Sequence, residues 1–549
     1  MPAARSVFLA ALTAATLLHA LTYSFAISDD AFISLRYAAN LASGHGLVFN
    51  PGEPPVEGFS NPLFTLALAG LLRLGTPPLL AARGIGLAAL AATVLLLPIA
   101  VRTFQPRETS ARRHDGSTVS AGAPIVAAGF LAASSYSAFW AMAGLETVSY
   151  AFLILLAAVL ASRELQREKV RWSPLCFALV SASRPEGALL AAGVFLAQWL
   201  TKPSDTRVVR AWFTGFGLPV MTLLAVRLAY YGALMPNTYN VKVGFGTPAV
   251  LAGLGYLWRF TVDGGFWLLL PAGVACAILI RPTSDAPSTR LAILPPLAAV
   301  AAQAVFVILV GGDGFPGYRF AIPVYPLLCA LAAIGLHGAL HRVRRSPQLA
   351  LAGVSILVCV GMVWSQSRGL EGHARRWWLI HDKPWTSYVF QTDLSGTWLT
   401  GHQRIAEYVR EHSEPGDVLA VTDAGVIPFV SGLPTLDLVG LNDRTIASLR
   451  KGAKFTPLPR KTNPREAALH PWALATADQF FSQSPEWLVI DGYFNAQGRL
   501  VPRVEIGRAL VRHRDWGRYR AVLEAPVYDG ESLGLGHDRT NVLFVREGP

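Results

Sequence analysis

Apolar blocks long enough to cross a bilayer recur from residue 6 to about residue 366, and short basic loops separate them. A hydrocarbon core about 30 Å thick needs about 20 apolar helical residues, and only helices or closed barrels satisfy their backbone there. The pattern therefore predicts a mainly α, polytopic membrane protein. Candidate spans are 6–27, 79–101, 123–142, 145–162, 174–200, 211–231, 264–280, 291–311, 320–340 and 348–366. Residues 63–75 are apolar but short, which predicts a re-entrant or partly spanning segment. Of the 549 residues, 52% are hydrophobic and only 15% charged, far from the composition of a soluble domain. The net charge of +12 does not point to nucleic acid, because the basic residues sit largely in short loops, where they set topology. Cys176, Cys276, Cys329 and Cys359 lie in apolar blocks without CxxC spacing and read as small core residues. The apolar run after Arg5 is long for a signal-peptide core and reads as a retained first span.

The positive-inside rule orients these spans. Basic loops at 102–113, 163–171, 202–210, 281–290 and 341–345 belong in the cytoplasm. Segment 174–200 must then leave and return, and Ser183-Arg184-Pro185-Glu186-Gly187 breaks it into two half-helices. About eleven crossings satisfy every basic loop. The same parity puts loop 28–62, the turn at Glu146, the break at Arg184, residues 235–242 and the Gly-rich loop 311–319 on one outer side. Past residue 370 the composition changes. Trp377 and Trp378 suit an interfacial anchor, residues 399–412 read as a helix, and 417–423, 486–491 and 541–545 read as short buried strands. The expected division is a membrane module over 1–369 and a small α/β extracytoplasmic domain over 370–549.

Loop 28–62 carries the densest polar chemistry. Asp29 and Asp30 open a helix that Ser28 would cap and that Gly44 and Gly46 would end. Asp29, Ile33, Arg36 and Asn40 share one stripe of it. Asn61-Pro62 has the form of a cap and first position for the next helix. Capping alone would account for acids at a helix start, and turn chemistry for Glu146 and for Asp313. Arg184 and Glu186 would pair with each other, yet an Arg-Pro-Glu inside an apolar block also marks a functional site. Lys242 and Arg319 read equally as interface residues or as anion ligands. His45 has no metal-ligand spacing. The first-loop acids could hold a divalent cation, but carboxylates alone have no diagnostic spacing. No Walker loop, GxSxG or nucleotide-binding GxGxxG unit is present.

Ser28-Asp-Asp-Ala-Phe-Ile-Ser-Leu-Arg-Tyr, continuing to Val56-Glu-Gly-Phe-Ser-Asn-Pro, resembles the GT-C class of membrane glycosyltransferases. Within that class it is similar to bacterial homologues of the mycobacterial terminal arabinofuranosyltransferase. More distantly, it is similar to the protein mannosyltransferase and aminoarabinose transferase group. Gly144-Leu-Glu-Thr, Ser183-Arg-Pro-Glu-Gly, Pro236-Asn-Thr-Tyr, Gly311-Gly-Asp-Gly-Phe-Pro-Gly-Tyr-Arg-Phe, Asp423-Ala-Gly-Val-Ile-Pro and Gly432-Leu-Pro-Thr-Leu-Asp resemble further blocks of the bacterial group. The residues after the acids differ from those of the mycobacterial enzyme, which leaves the sugar open. The resemblance implies inverting transfer from a polyprenyl-phosphate sugar to a glycan, lipid or protein acceptor, at the outer face of a bacterial inner membrane. It assigns the base to Asp29 or Asp30, and Asp29 is preferred because it shares a stripe with Arg36. Arg184, Lys242 and Arg319 are the candidates for the donor phosphate. Arg36, Asn40, His45, Glu57, Asn61, Glu146, Glu186, Asn237, Tyr239 and Asp313 are candidates for sugar or acceptor. A flippase for a polyprenyl-linked sugar, or a ligase using a diphosphate-linked oligosaccharide, is the rival expectation.

Overall fold

The structure is a computed structural model that describes residues 2–105, 122–201, 205–242, 246–265, 291–343, 347–377, 399–450, 469–495, 497–528 and 539–547. Most of the expected 264–280 span, the basic loop 281–290, Cys276 and Trp378 lie outside the described residues. The chain divides into two units, each built from three segments. The first holds Met1–Tyr23, Ala82–Leu224 and Phe245–Gly372; the second holds Ser24–Ala81, Ala225–Gly244 and His373–Pro549.

Among the described residues, six helices are long and apolar enough to cross a membrane, or seven with a bent pair counted as one span. They are Pro78–Phe104, Thr147–Gln166, Thr206–Tyr231, Leu291–Val310, Ile322–Leu340 and Leu349–Leu370. This is a multi-pass membrane protein. The expected 123–142 span is two helices, Gly122–Ala132 and Ser135–Met142, bent by 56°. Polar side chains explain the break: Ser134 Oγ accepts from the Ser137 N–H at 3.1 Å and donates to Gln366 Oε1 at 3.2 Å, capping the second helix. The 174–200 block is likewise two helices, Ser173–Ser183 and Gly187–Thr201. Pro185 pushes the residue before it out of the helical region, and Arg184 is extended at φ −158°, ψ 141°. The return is tight, because a Cβ on Gly187 would lie 2.7 Å from the Val180 backbone.

One helix escaped the hydropathy reading, Thr247–Asp263. Its Ala249, Gly253, Tyr256 and Phe260 are buried, while Leu251, Leu254, Trp258 and Val262 form an exposed apolar stripe. Gly253 lets it approach the backbone of the Leu294–Val310 helix, where a Cβ would sit 2.6 Å from Ile308 Cα.

The second unit is built on a six-stranded sheet. Its strands are β1 (Leu419–Val421), β2 (Thr435–Asp437), β3 (Trp487–Phe494), β4 (Leu500–Pro502), β5 (Tyr519–Tyr528) and β6 (Arg539–Arg546). Their order is β2-β1-β3-β6-β5, with β4 added to β3. β1 runs parallel to both neighbours, and β3 is antiparallel to β6. Strand side chains alternate between faces, so each strand feeds two cores. Ala420, Leu488, Ile490, Val542 and Phe544 pack with Trp472, Phe480 and Leu510 from the helices Pro471–Gln483 and Glu505–Arg512. Leu419, Val421, Trp487, Val489 and Leu543 face the other way and pack with Ile33, Tyr37, Phe49 and Phe59 of the first loop. The first loop thus covers one face of a sheet formed more than 350 residues later. Its helix, Asp29–Ala42, is followed by Gly44 and Gly46 at φ 85° and 87°, and Pro62 opens the next helix, Pro62–Arg73.

Candidate functional site

The sequence-predicted residues fall into two clusters, one in each unit. In the second unit the acid pair sits at the start of Asp29–Ala42. Asp29 is buried, and both its carboxylate oxygens are bound: Oδ2 accepts from the Gly425 N–H at 3.0 Å and Oδ1 from the Val426 N–H at 2.8 Å. Those donors open the short helix Val426–Ser431, so Asp29 caps it from a distant part of the sequence. A Cβ at position 425 would fall 2.1 Å from the Asp29 carbonyl oxygen, which leaves room only for glycine. Burial pushes the Asp29 carboxyl up to about 6. His402 and the Val426 N–H pull the other way, and Asp423 and Asp30 add to the rise. Asp30, its neighbour, is half-buried.

The stripe below Asp29 is engaged by protein acceptors. Arg36 donates to the carbonyl oxygens of Phe49 at 2.8 Å and Leu433 at 2.7 Å, to that of Pro428, and to Asn50 Oδ1 at 3.1 Å. Burial lowers its pKa to about 10, still far above neutrality. Asn40 donates to the carbonyls of Val48 and Phe49. Asn50 pairs with Thr435 through both amide atoms, at 2.9 and 3.0 Å, and so covers the edge strand β2. Asn61 accepts from Ser34 and Thr65, both at 3.1 Å. Asn237 donates to the carbonyls of Gly440 and Leu441. Tyr239 and His45 are exposed. Lys242 ends the helix Asn237–Lys242, and its side chain lies outside the described residues. Glu57 is buried and paired with Arg227 at 3.0 Å; burial raises the Glu57 carboxyl and Arg227 lowers it. Arg227 went unnoticed in the sequence, although a charged residue inside an apolar span was itself a signal. His402, buried 3.3 Å from Asp423, gave none.

In the first unit the helix breaks gather a second cluster. Arg184 donates from Nη1 to Glu146 and from Nε to Glu186. Arg319 donates from Nη2 to the same Glu146 oxygen at 2.8 Å. All four side chains are nearly inaccessible, with exposures of 1–11%. Aromatic rings wall them: Arg184 lies 5.2 Å from the Phe320 centroid and Arg319 5.5 Å from that of Phe315. Asp313 organises the Gly-rich loop, accepting from the Phe315 and Phe320 N–H groups at 2.8 and 3.0 Å and from Tyr256 OH at 3.0 Å. Gly311, Gly312 and Gly317 take positive φ there, and so does Tyr318 at 54°, an uncommon conformation for a bulky residue. Two carboxylates face two guanidiniums, yet three buried polar atoms around them have no partner: Arg319 Nε, Tyr150 OH and Thr147 Oγ1. Native interiors rarely leave such atoms unsatisfied, so the cluster has capacity for a polar ligand or water.

Among the described residues no group of three or more His, Cys, Asp or Glu is placed to hold a metal ion. The Asp29 oxygens already take N–H donors.

Solved structures share this fold. ArnT from Cupriavidus metallidurans bound to undecaprenyl phosphate matches with a TM-score of 0.53 and 12% identity, over 80% of this chain and 86% of that one. The archaeal oligosaccharyltransferase AglB from Archaeoglobus fulgidus, in complex with an inhibitory peptide and a dolichol-phosphate, matches with a TM-score of 0.53 and 12% identity. That match covers 96% of this chain and 81% of AglB. The fold is therefore that of the GT-C membrane glycosyltransferases. In sequence, the chain is similar to the terminal β-(1→2)-arabinofuranosyltransferase of Mycobacterium tuberculosis, 28% identical over 343 residues. That match takes in 56% of this chain and 52% of the relative, so the chain spans about half the length of the curated relative it matches. Residues 392–532 match a family described as a domain of unknown function, DUF8728.

Proposed function

We propose that the protein is an inverting membrane glycosyltransferase that moves a sugar, arabinofuranose or a related one, from a polyprenyl-phosphate donor to a cell-envelope glycan, lipid or protein. Transfer would occur at the outer face of a bacterial inner membrane. The GT-C fold supports this reading, as do the lipid phosphates bound by ArnT and AglB and the activity named for the mycobacterial relative.

The observation that carries the reading is the division of labour within the acid pair. Asp29 is buried against two backbone N–H groups, and Asp30, on the same helical turn, is the more exposed of the two acids. Asp30 is the base. It removes the proton from the acceptor hydroxyl as that oxygen bonds to the anomeric carbon; the bond from that carbon to the phosphate oxygen breaks, and polyprenyl phosphate leaves with the electron pair. The leaving phosphate gains negative charge, so its partners are guanidinium or ammonium groups. Arg184, Arg319 and Lys242 are the candidates, and the unpartnered Arg319 Nε offers a donor.

Short-chain polyprenyl-phosphate pentoses and hexoses, offered to the protein in nanodiscs, test this reading. The expected product is a glycoside with inverted anomeric configuration, reduced at least about 1000-fold in Asp30→Asn and less in Asp29→Asn, since a base and a cap contribute unequally. In proteoliposomes, movement of the lipid across the membrane without glycoside formation would instead identify a flippase. Full activity in Asp30→Asn would remove that residue from the chemistry.

A further inference from the structure

We propose that Asp423, with His402 behind it, binds the hydroxyls of the acceptor sugar next to the first-loop acids. This rests on the transferase reading and gives the C-terminal part of the chain a direct place in acceptor recognition.

The first support is topological. β1 pairs in parallel with β2 on one side and β3 on the other, so the chain leaves β1 towards one neighbour and returns beside the other. In open α/β sheets such a switch opens a crevice beyond the carboxyl ends of the strands, where ligands bind. Asp423 stands two residues past the end of β1, in the turn that enters this region. The same turn supplies the Gly425 and Val426 N–H groups that hold Asp29, so the acid pair is docked at its mouth.

The second support is the way Asp423 is held. Its side chain keeps 31% exposure while His402, 3.3 Å away through Nε2, has none. Asn541 is 1% exposed and lies 3.2 Å from that same ring nitrogen, with its own Oδ1 unpartnered. An imidazole and an amide in a sheet core cost desolvation that an apolar pair would avoid. Beneath a half-exposed carboxylate they fix its orientation instead, as supporting groups do in a binding site. Ser28 Oγ, 1% exposed and unpartnered beside the acid pair, is a further unused hydroxyl in this region.

The chemistry that suits this set is a polyol. A fixed carboxylate accepts from hydroxyls on adjacent carbons, and a site built to bind hydroxyls discriminates strongly once a partner is removed. Asp423 is thus a specificity residue and Asp30 the base. His402 acts through Asp423 and is a positioning residue.

The test uses the full chain in nanodiscs and octyl α-arabinofuranoside as the acceptor probe. In Asp423→Asn its Kd, read by intrinsic tryptophan fluorescence, rises about tenfold or more, while the Kd for undecaprenyl phosphate stays within twofold and the melting temperature is unchanged. His402→Gln shows a smaller rise in the same constant only, and Asp423→Glu recovers part of the affinity. Equal probe affinity in wild type and Asp423→Asn, or no saturable probe binding to the wild type, overturns the inference. So does an equal loss for probe and lipid phosphate. If the probe binds with this pattern but no donor yields glycoside, the transferase reading fails and Asp423 keeps its role as a sugar ligand.

Discussion

A carboxyl group that is buried yet bound by two N–H donors is pulled in opposite directions, and at Asp29 burial wins. Its folded pKa, about 6, stands above the ordinary 3.8. Between those values the unfolded chain has released the proton and the folded chain still holds it, so stability falls as pH rises from about 4 to about 6 and levels off above. His402, Asp423 and Asp30 all face this group and fix how far the window extends. The melting temperature of wild type minus that of Asp29→Asn, followed from pH 4 to 7, should fall steadily through that window and then stay flat. A pH-independent difference would place the carboxyl back at its ordinary value. Gly425→Ala tests the same contact sterically. A methyl group there would meet Asp29, 2.1 Å from its carbonyl oxygen. Overpacking of this kind costs about 1–3 kcal/mol, and thermal unfolding would reveal it. An unchanged melting temperature would mean that the two segments do not touch.

Elements whose breaks have local causes were legible in the sequence, and elements whose role depends on distant partners were not. Pro185 announced the break between Ser173–Ser183 and Gly187–Thr201, and Asp29-Asp30 with Gly44 delimited the first-loop helix. The bend at Ser134 was missed because two serines in an apolar block change hydropathy little; Ser134 reaches Gln366, and Ser135 reaches His19 and Ser367, all over 100 residues away. The Arg36 stripe read as a set of groups facing a ligand, and nothing nearby in sequence predicts that Pro428, Leu433 and Phe49 carbonyls would engage it. Thr247–Asp263 was overlooked since its 17 residues fall short of a span. Its contacts suggest why it need not be one. Ala249 meets Gly311, Tyr256 bonds to Asp313, and Phe260 meets Tyr318 edge-on, so its length follows the loop after the Leu294–Val310 helix. Its exposed stripe of Leu251, Leu254 and Trp258 is then expected to lie along the bilayer surface, where tryptophan is favoured. Cysteines introduced at Thr247 and Asp263 should label from the same side of the membrane. Labelling from opposite sides would make this helix a crossing. Glu57 and Arg227 give a second test at this scale. Arg227→Met strands a buried carboxylate and should destabilise by about 3–5 kcal/mol, and adding Glu57→Gln should restore much of that loss. Equal losses in the single and double variants would show that the pair does not interact.

At the scale of the whole molecule, the second unit is discontinuous in a way that dictates its behaviour. Residues 24–81 and 225–244 belong with a sheet whose first strand begins at Leu419. Ile33, Tyr37, Phe49 and Phe59 share one core with Val421, Val489 and Leu543. Contacts this remote in sequence carry a loop-closure cost that only the assembled core offsets, which makes formation of the unit all-or-none. The first-loop helix should then have no stability independent of the sheet. In native-state hydrogen exchange of the full chain, the amides of Tyr37 and Ala38 should open with the same free energy and denaturant dependence as those of Val421 and Val489. The amides of Ile154 and Leu155, in the first unit, need not share that opening. A first-loop helix that opens well below the sheet would mean that the acids at its start move independently of Asp423.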